Sequence, residues 1–167
     1  MGEVLYKVEG GGDNKRPMMT NSQEHKKRLE GIIKNMSVEQ MRKYLLKLMS
    51  EDESIKNDVI ISYGRTIGQL ELENLKREVD TIVERYAGRD GFIYYREAYD
   101  FTSDIDHFLE QKVRVLIKNH NNMQAFEMVN YVFEVISNQD MDDSDGGTAI
   151  VASTCYELWK MILGQCS

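Results

Sequence analysis

The chain reads as an all-α protein of antiparallel helical hairpins, stacked as a short α-solenoid or an irregular bundle. Three observations predict this. Apolar residues recur at three- and four-residue steps over most of the length, the spacing that lines one face of a helix. The only proline, Pro17, lies outside every periodic stretch, so nothing breaks a helix internally. No run of alternating apolar and polar residues between turn signals competes; Gly91-Phe92-Ile93-Tyr94-Tyr95 is the one short candidate strand, weighed against the start of a helix.

Residues 1–22 hold Gly10-Gly11-Gly12, Asp13, Asn14 and Pro17 without a sustained apolar period, and read as a flexible N-terminal segment. Residues 23–167 form the all-helical domain. Leu29, Ile32, Ile33 and Met36 mark a first helix over 23–35. Ser37 and Gln40 have the spacing of a capping box, and Val38, Met41, Tyr44, Leu45, Leu48 and Met49 then share a stripe over 37–50. After the acidic turn Glu51-Asp52-Glu53, Ile55, Val59, Ile60 and Tyr63 indicate a third helix. Leu72, Leu75, Val79, Ile82, Val83 and Tyr86 indicate a strongly amphipathic fourth, stopped by Gly88 and Gly91.

Beyond Gly91, Tyr95, Ala98, Tyr99, Ile105, Leu109, Val113, Leu116 and Ile117 keep one face over about seven turns. The run ends in Asn119-His120-Asn121-Asn122, where asparagines able to adopt left-handed backbone predict a tight reversal. Residues 122–138 are apolar on two stripes: Phe126, Val129, Phe133 and Ile136 on one, Ala125, Met128, Val132 and Val135 on the other. A surface that wide needs neighbours on more than one side, so this helix is expected to be the most buried. Ile150, Val151, Cys155, Leu158 and Ile162 give a last helix, behind the acidic linker at 140–147.

At 167 residues the chain suits one domain, and 41% hydrophobic with 29% charged residues is too apolar for wholesale disorder. Against 28 Asp and Glu stand 21 Lys and Arg, so the net charge of −7 argues against direct nucleic-acid binding. Cys155 and Cys166 make no paired-cysteine motif, which fits a reducing, cytoplasmic setting and excludes both a disulfide scaffold and a cysteine zinc site. No apolar stretch has the length of a membrane span. Met1-Gly2 is followed by Tyr6 where a myristoylation signal needs Ser or Thr.

Chemistry is thin. Asp140, Asp142, Ser144 and Asp145 resemble a calcium loop, but placing Gly146 at its sixth position puts Met141 first and Ala152 twelfth, where ligands are required. Carboxylates before a helix accept its free N–H groups, so Asp142, Asp143 and Asp145 are expected to cap the last helix. Asp104, His107 and Glu110 share a helix face; an acid-base or metal site there is weighed against plain solvated charge, His25 and His120 having no partnering motif. The triple glycine is followed by Asp13-Asn14-Lys15-Arg16 and not by the Gly-Lys-Ser/Thr of a phosphate loop. With no nucleophile elbow and no Cys–His pairing either, no catalytic residue, metal or cofactor is expected. Tyr94, Tyr95, Arg96 and Tyr99 cluster at the start of the long helix. They suit either rings packed in the core or an exposed contact patch for a protein partner.

Four groups of residues carry a family resemblance: Leu45-Leu46 and Leu48 with Glu51-Asp52-Glu53, Tyr95 with Ala98 and Tyr99, Ala125-Phe126 after a turn, and Asp142-Asp143-Ser144-Asp145-Gly146. Together they resemble the helical region that follows the zinc finger in bacterial SWIM-type proteins. That resemblance implies an α-solenoid-like accessory domain of a nucleic-acid-binding assembly. The family's Cys-x-Cys and Cys-x-His pairs are absent, so no zinc is implied. The residues themselves suggest a non-enzymatic helical module that binds or scaffolds a protein partner.

Overall fold

The computed structural model describes residues 21–165, all-α, and the chain divides into two compact units, Met1–Lys47 and Leu48–Ser167. The expected flexible segment and Cys166 lie outside the described residues, except that helix α1, Asn21–Lys34, already begins at Asn21. Helix α2, Val38–Glu51, follows at once. Its capping box is formed: Ser37 Oγ accepts from Gln40 N at 3.1 Å, and Gln40 Oε1 accepts from Ser37 N at 2.8 Å. The stripes of these two helices are amphipathic in sequence, yet Leu29, Ile32, Ile33, Val38, Met41, Tyr44 and Leu45 stay exposed.

The second unit holds the core. Helix α3, Glu53–Tyr63, is capped by Asp52, whose carboxylate accepts from Ser54 N at 2.8 Å and Ile55 N at 3.2 Å. Ile61 is its buried residue, whereas Tyr63, expected inside, is exposed. Helix α4, Gln69–Tyr86, buries Leu72, Leu75, Val79 and Ile82 as the periodicity requires, with Val83 and Tyr86 packed at the margin. At its start the Glu71 carboxylate accepts from Gly68 N at 3.1 Å.

The long helix is not uniform. Helix α5, Tyr95–Phe108, passes through a π turn, Leu109–Val113, into helix α6, Arg114–Lys118, and the turn is closed by Arg114 N–H donating to Leu109 O. A strict α-helix would rotate Val113 and Ile117 away from the face set by Phe101 and Ile105. The wider π turn holds them back, and all four are fully buried with Leu109 and Leu116.

Between α6 and helix α7, Asn122–Asn138, the reversal occurs, but its left-handed residue is His120, at φ 60°, not an asparagine. The asparagines act through their side chains. Asn119 Nδ2 donates to Ile61 O at 2.8 Å and Ser62 O at 3.1 Å, and buried Asn121 accepts from Ile67 N at 3.3 Å. This turn therefore clamps the link between α3 and α4. Asn121→Ala strands the Ile67 N–H in a dry place and is expected to lower stability by about 1–3 kcal/mol, read from urea unfolding.

Helix α7 buries Ala125, Met128, Val129, Val132 and Ile136, while Phe126 and Phe133, expected inside, are exposed at 45% and 40%. Its neighbours are α4, α6 and helix α8, Gly147–Gln165, which cover one broad face and leave the flank open. On that flank Phe133 meets Trp159 of α8 at 5.3 Å between ring centroids. Helix α8 packs on both α5 and α7 through Val151, Cys155, Leu158 and Ile162; Ile150, expected inside, is exposed.

The candidate strand becomes a single parallel bridge between Ile93 and Met141, after which α5 starts at Tyr95. Ile93 N donates to Asp140 O at 3.0 Å and Asp142 N to Ile93 O at 2.9 Å. With Ile93 fully buried, the bridge ties the lead into α5 to the acidic linker and sets the first turns of α5 and α8 together. Among the described residues no helix is long and apolar enough to cross a membrane.

Candidate functional site

A groove of about 450 Å³ opens where the first half of α5, the start of α8 and the acidic linker meet. From α5 it takes Ala98, Tyr99, Thr102, Ser103 and Asp106; from the linker Asp142, Asp143 and Asp145; from α8 Gly147 and Ile150. Its floor exists because Gly147 has no side chain: a Cβ there would stand 2.4 Å from Thr102 Oγ1. Thr102 cannot swing aside freely, since its hydroxyl donates to Ala98 O at 3.0 Å.

The linker carboxylates divide their duties. Asp143 accepts from Thr148 N at 3.0 Å and from the Thr148 hydroxyl, in the first turn of α8. The other two expected caps serve elsewhere. Asp142 accepts from Ser144 N at 3.2 Å and from the Ser144 hydroxyl, which shapes the linker, and Asp145 accepts from the Tyr95 hydroxyl at 3.3 Å. Gly146, at φ 71°, turns the chain, and its N–H closes the turn on Asp143 O at 2.9 Å, which brings Asp143 and not its neighbours back to the first turn of α8. Asp143→Ala is therefore expected to destabilise by about 0.5–2 kcal/mol, with Asp145→Ala near neutral, measured as melting shifts.

Of the tyrosine cluster, Tyr94, Tyr95 and Tyr99 are exposed, at 53%, 54% and 66%, and Arg96 is exposed too. The rings do not pack in the core; that place belongs to Phe101, Ile105 and Phe108 on the opposite face of α5. Tyr94 is braced by Phe92, edge-to-face at 5.0 Å, and by its hydroxyl donating to Asp90 at 2.6 Å. That bond holds the Asp90 carboxyl below its ordinary range and raises the Tyr94 phenol. Thr102, Ser103, Asp106 and Gly147 were not singled out by sequence, and Ile150 was read there as a core residue. A signal was present: Tyr95, Tyr99, Ser103 and Asp106 step by four, four and three along one helix face.

A second, larger groove of about 830 Å³ runs between α3, α4 and α5 and carries His107 on its wall. Its charges neutralise one another. Lys112 pairs with Asp58 and, at 3.9 Å, with Glu78, and Arg85 meets Asp104 at 2.9 Å. The face Asp104, His107 and Glu110 does not converge: Asp104 accepts from Arg85 and, at 2.7 Å, from the Tyr86 hydroxyl, while Glu110 takes Arg114 Nε at 2.6 Å. The Arg114 guanidinium keeps the Glu110 carboxyl below its ordinary range. No group of three His, Cys, Asp or Glu able to hold a metal occurs among the described residues. Cys155 is fully buried, and burial pushes its thiol up to about 12, so the thiolate is scarce at neutral pH.

No protein-family model matches the chain, and no curated protein or solved structure is significantly similar to it.

Proposed function

We propose that this chain is a protein-interaction module whose docking surface is the groove between α5 and α8, with Tyr95 and Tyr99 at its edge. One observation carries the reading: Tyr99 and Ile150, at positions whose spacing would let them bury, stand exposed around a concave floor, with exposed Tyr95 bonded to its Asp145. Large amphipathic rings on rigid helices, beside a groove that fixes orientation, are what binding energy concentrates on in protein interfaces. The floor is braced by the Ile93–Met141 bridge and the Gly147–Thr102 contact, so a partner meets a formed surface and little ordering entropy is lost.

A photoreactive benzoylphenylalanine at position 99, and separately at exposed position 63 on α3, tests this in cells expressing the chain. The reading expects one discrete, mass-identified partner trapped from position 99 and not from 63. Equal trapping at both positions, none at either, or turnover of a substrate by the pure protein would contradict it.

A further inference from the structure

We propose that the occupant of this groove is a basic peptide segment of a partner protein, one that presents arginine next to an apolar side chain. The inference rests on the docking reading above and names the partner's chemistry.

Charge is the first argument. The stretch 48–167 carries 22 Asp and Glu against 11 Lys and Arg. Elsewhere on it Lys112, Arg85, Arg114 and Lys76 are each paired with carboxylates. The groove gathers acids without a base in its lining: Asp106, Asp142, Asp143 and Asp145 line it, no Lys or Arg does, and their hydrogen-bond partners are hydroxyls and backbone N–H groups, Asp106 alone also feeling the Arg114 charge from outside. A carboxylate has about four lone-pair sites. Asp106, which accepts from Thr154 Oγ1 at 2.6 Å, and Asp145, which accepts from Tyr95, each keep acceptor capacity toward the groove.

Shape and surface are the second. Tyr99 and Ile150 offer exposed ring and aliphatic surface beside those oxygens. A planar guanidinium stacks on an aromatic face while its N–H fork meets a carboxylate, which a lysine ammonium does less well. Ile150 and Ala98 supply dry contact for a neighbouring apolar side chain. A volume of about 450 Å³ lies near the lower end of ligand pockets and suits a few anchor side chains, not a whole helix.

The test uses the full chain and a short fluorescein-labelled peptide alternating arginine and leucine, titrated near physiological salt. Its comparators are a lysine-for-arginine and a glutamate-for-arginine version. Asp142→Asn/Asp145→Asn removes two groove charges while keeping an acceptor oxygen at each position; Glu84→Gln/Glu134→Gln removes two exposed charges on α4 and α7 and matches it in net charge. Unchanged melting of both variants verifies their folding, and Tyr99→Ala is a third, charge-neutral variant.

The expected result is binding of the arginine peptide, weaker binding of the lysine version and none of the glutamate version. The groove pair and Tyr99→Ala should each lose on the order of tenfold in affinity, and the control pair less than about twofold. Equal losses in both charge pairs would reduce the effect to diffuse attraction and overturn the proposal. Failure of the arginine peptide to bind would also overturn it, as would concentration-dependent self-association abolished by the groove pair, which makes the occupant a second copy. Partner capture from position 99 through a non-basic segment defeats this inference and leaves the docking reading intact.

Discussion

Phe101→Ala is expected to cost about 3–5 kcal/mol, the range for removing a fully buried aromatic from a packed core. Phe101 is 0% exposed and sits edge-to-face against Tyr86 at 6.1 Å, so it joins α5 to α4 in the second unit. Domains are stable by only about 5–15 kcal/mol, so the variant should lose a large share of its margin. Urea unfolding should show a lower midpoint at an unchanged slope. A cost below about 1 kcal/mol would mean that the face of α5 opposite the groove is not the structural one.

Gly147→Val should be nearly as damaging, on the order of 3 kcal/mol, the upper end for forcing extra carbon into a packed contact. The site permits little relief. A Cβ at 147 would stand 3.0 Å from Thr102 Cβ as well as 2.4 Å from its hydroxyl oxygen, and that hydroxyl is held by α5 carbonyls. The collision is specific to one neighbour, so Thr102→Ala in the same background should restore part of the loss. A coupling of about 1 kcal/mol or more in the double-mutant cycle is the expected reading. Independent, additive effects would place the floor of the groove elsewhere.

Much of the fold was legible because a helix's buried face repeats. The stripe of α4 and the Ser37–Gln40 capping box are local patterns, and both are formed where the spacing puts them. The wrong assignments share a cause. Periodicity reports that a side chain lies near an apolar face, not which neighbours arrive to cover it. Phe126, Phe133, Tyr63 and Ile150 stay exposed although their spacing puts them on the apolar stripes, and even Phe133, which meets Trp159 of α8, is covered on one side only. On α5 the smaller, more apolar Ala98, Phe101 and Ile105 take the core and displace the tyrosines. The π turn was not readable, because its cause is tertiary: it keeps Val113 and Ile117 in register with a core built from α3, α4 and α7.

The groove was half legible for the same reason. The tyrosines and the linker carboxylates stood out as clusters, but they lie about fifty positions apart in the chain, as the Tyr95–Asp145 bond records. What joins them is the bridge between Ile93 and Met141, a single pair of extended residues too short for any periodic signature. Asn119 and Asn121 were similarly read as turn formers, whereas their energetic role is toward Ile61, Ser62 and Ile67, more than fifty positions earlier.

The most direct measurement is a map of backbone amide shifts on the full chain when the partner segment trapped from position 99 is added as a free peptide. The docking account expects the shifted amides to cluster at 95–106 and 142–150, with those of Leu72 to Ile82 on α4 unmoved. Shifts gathered along α3 and α4, around the second groove, would contradict it.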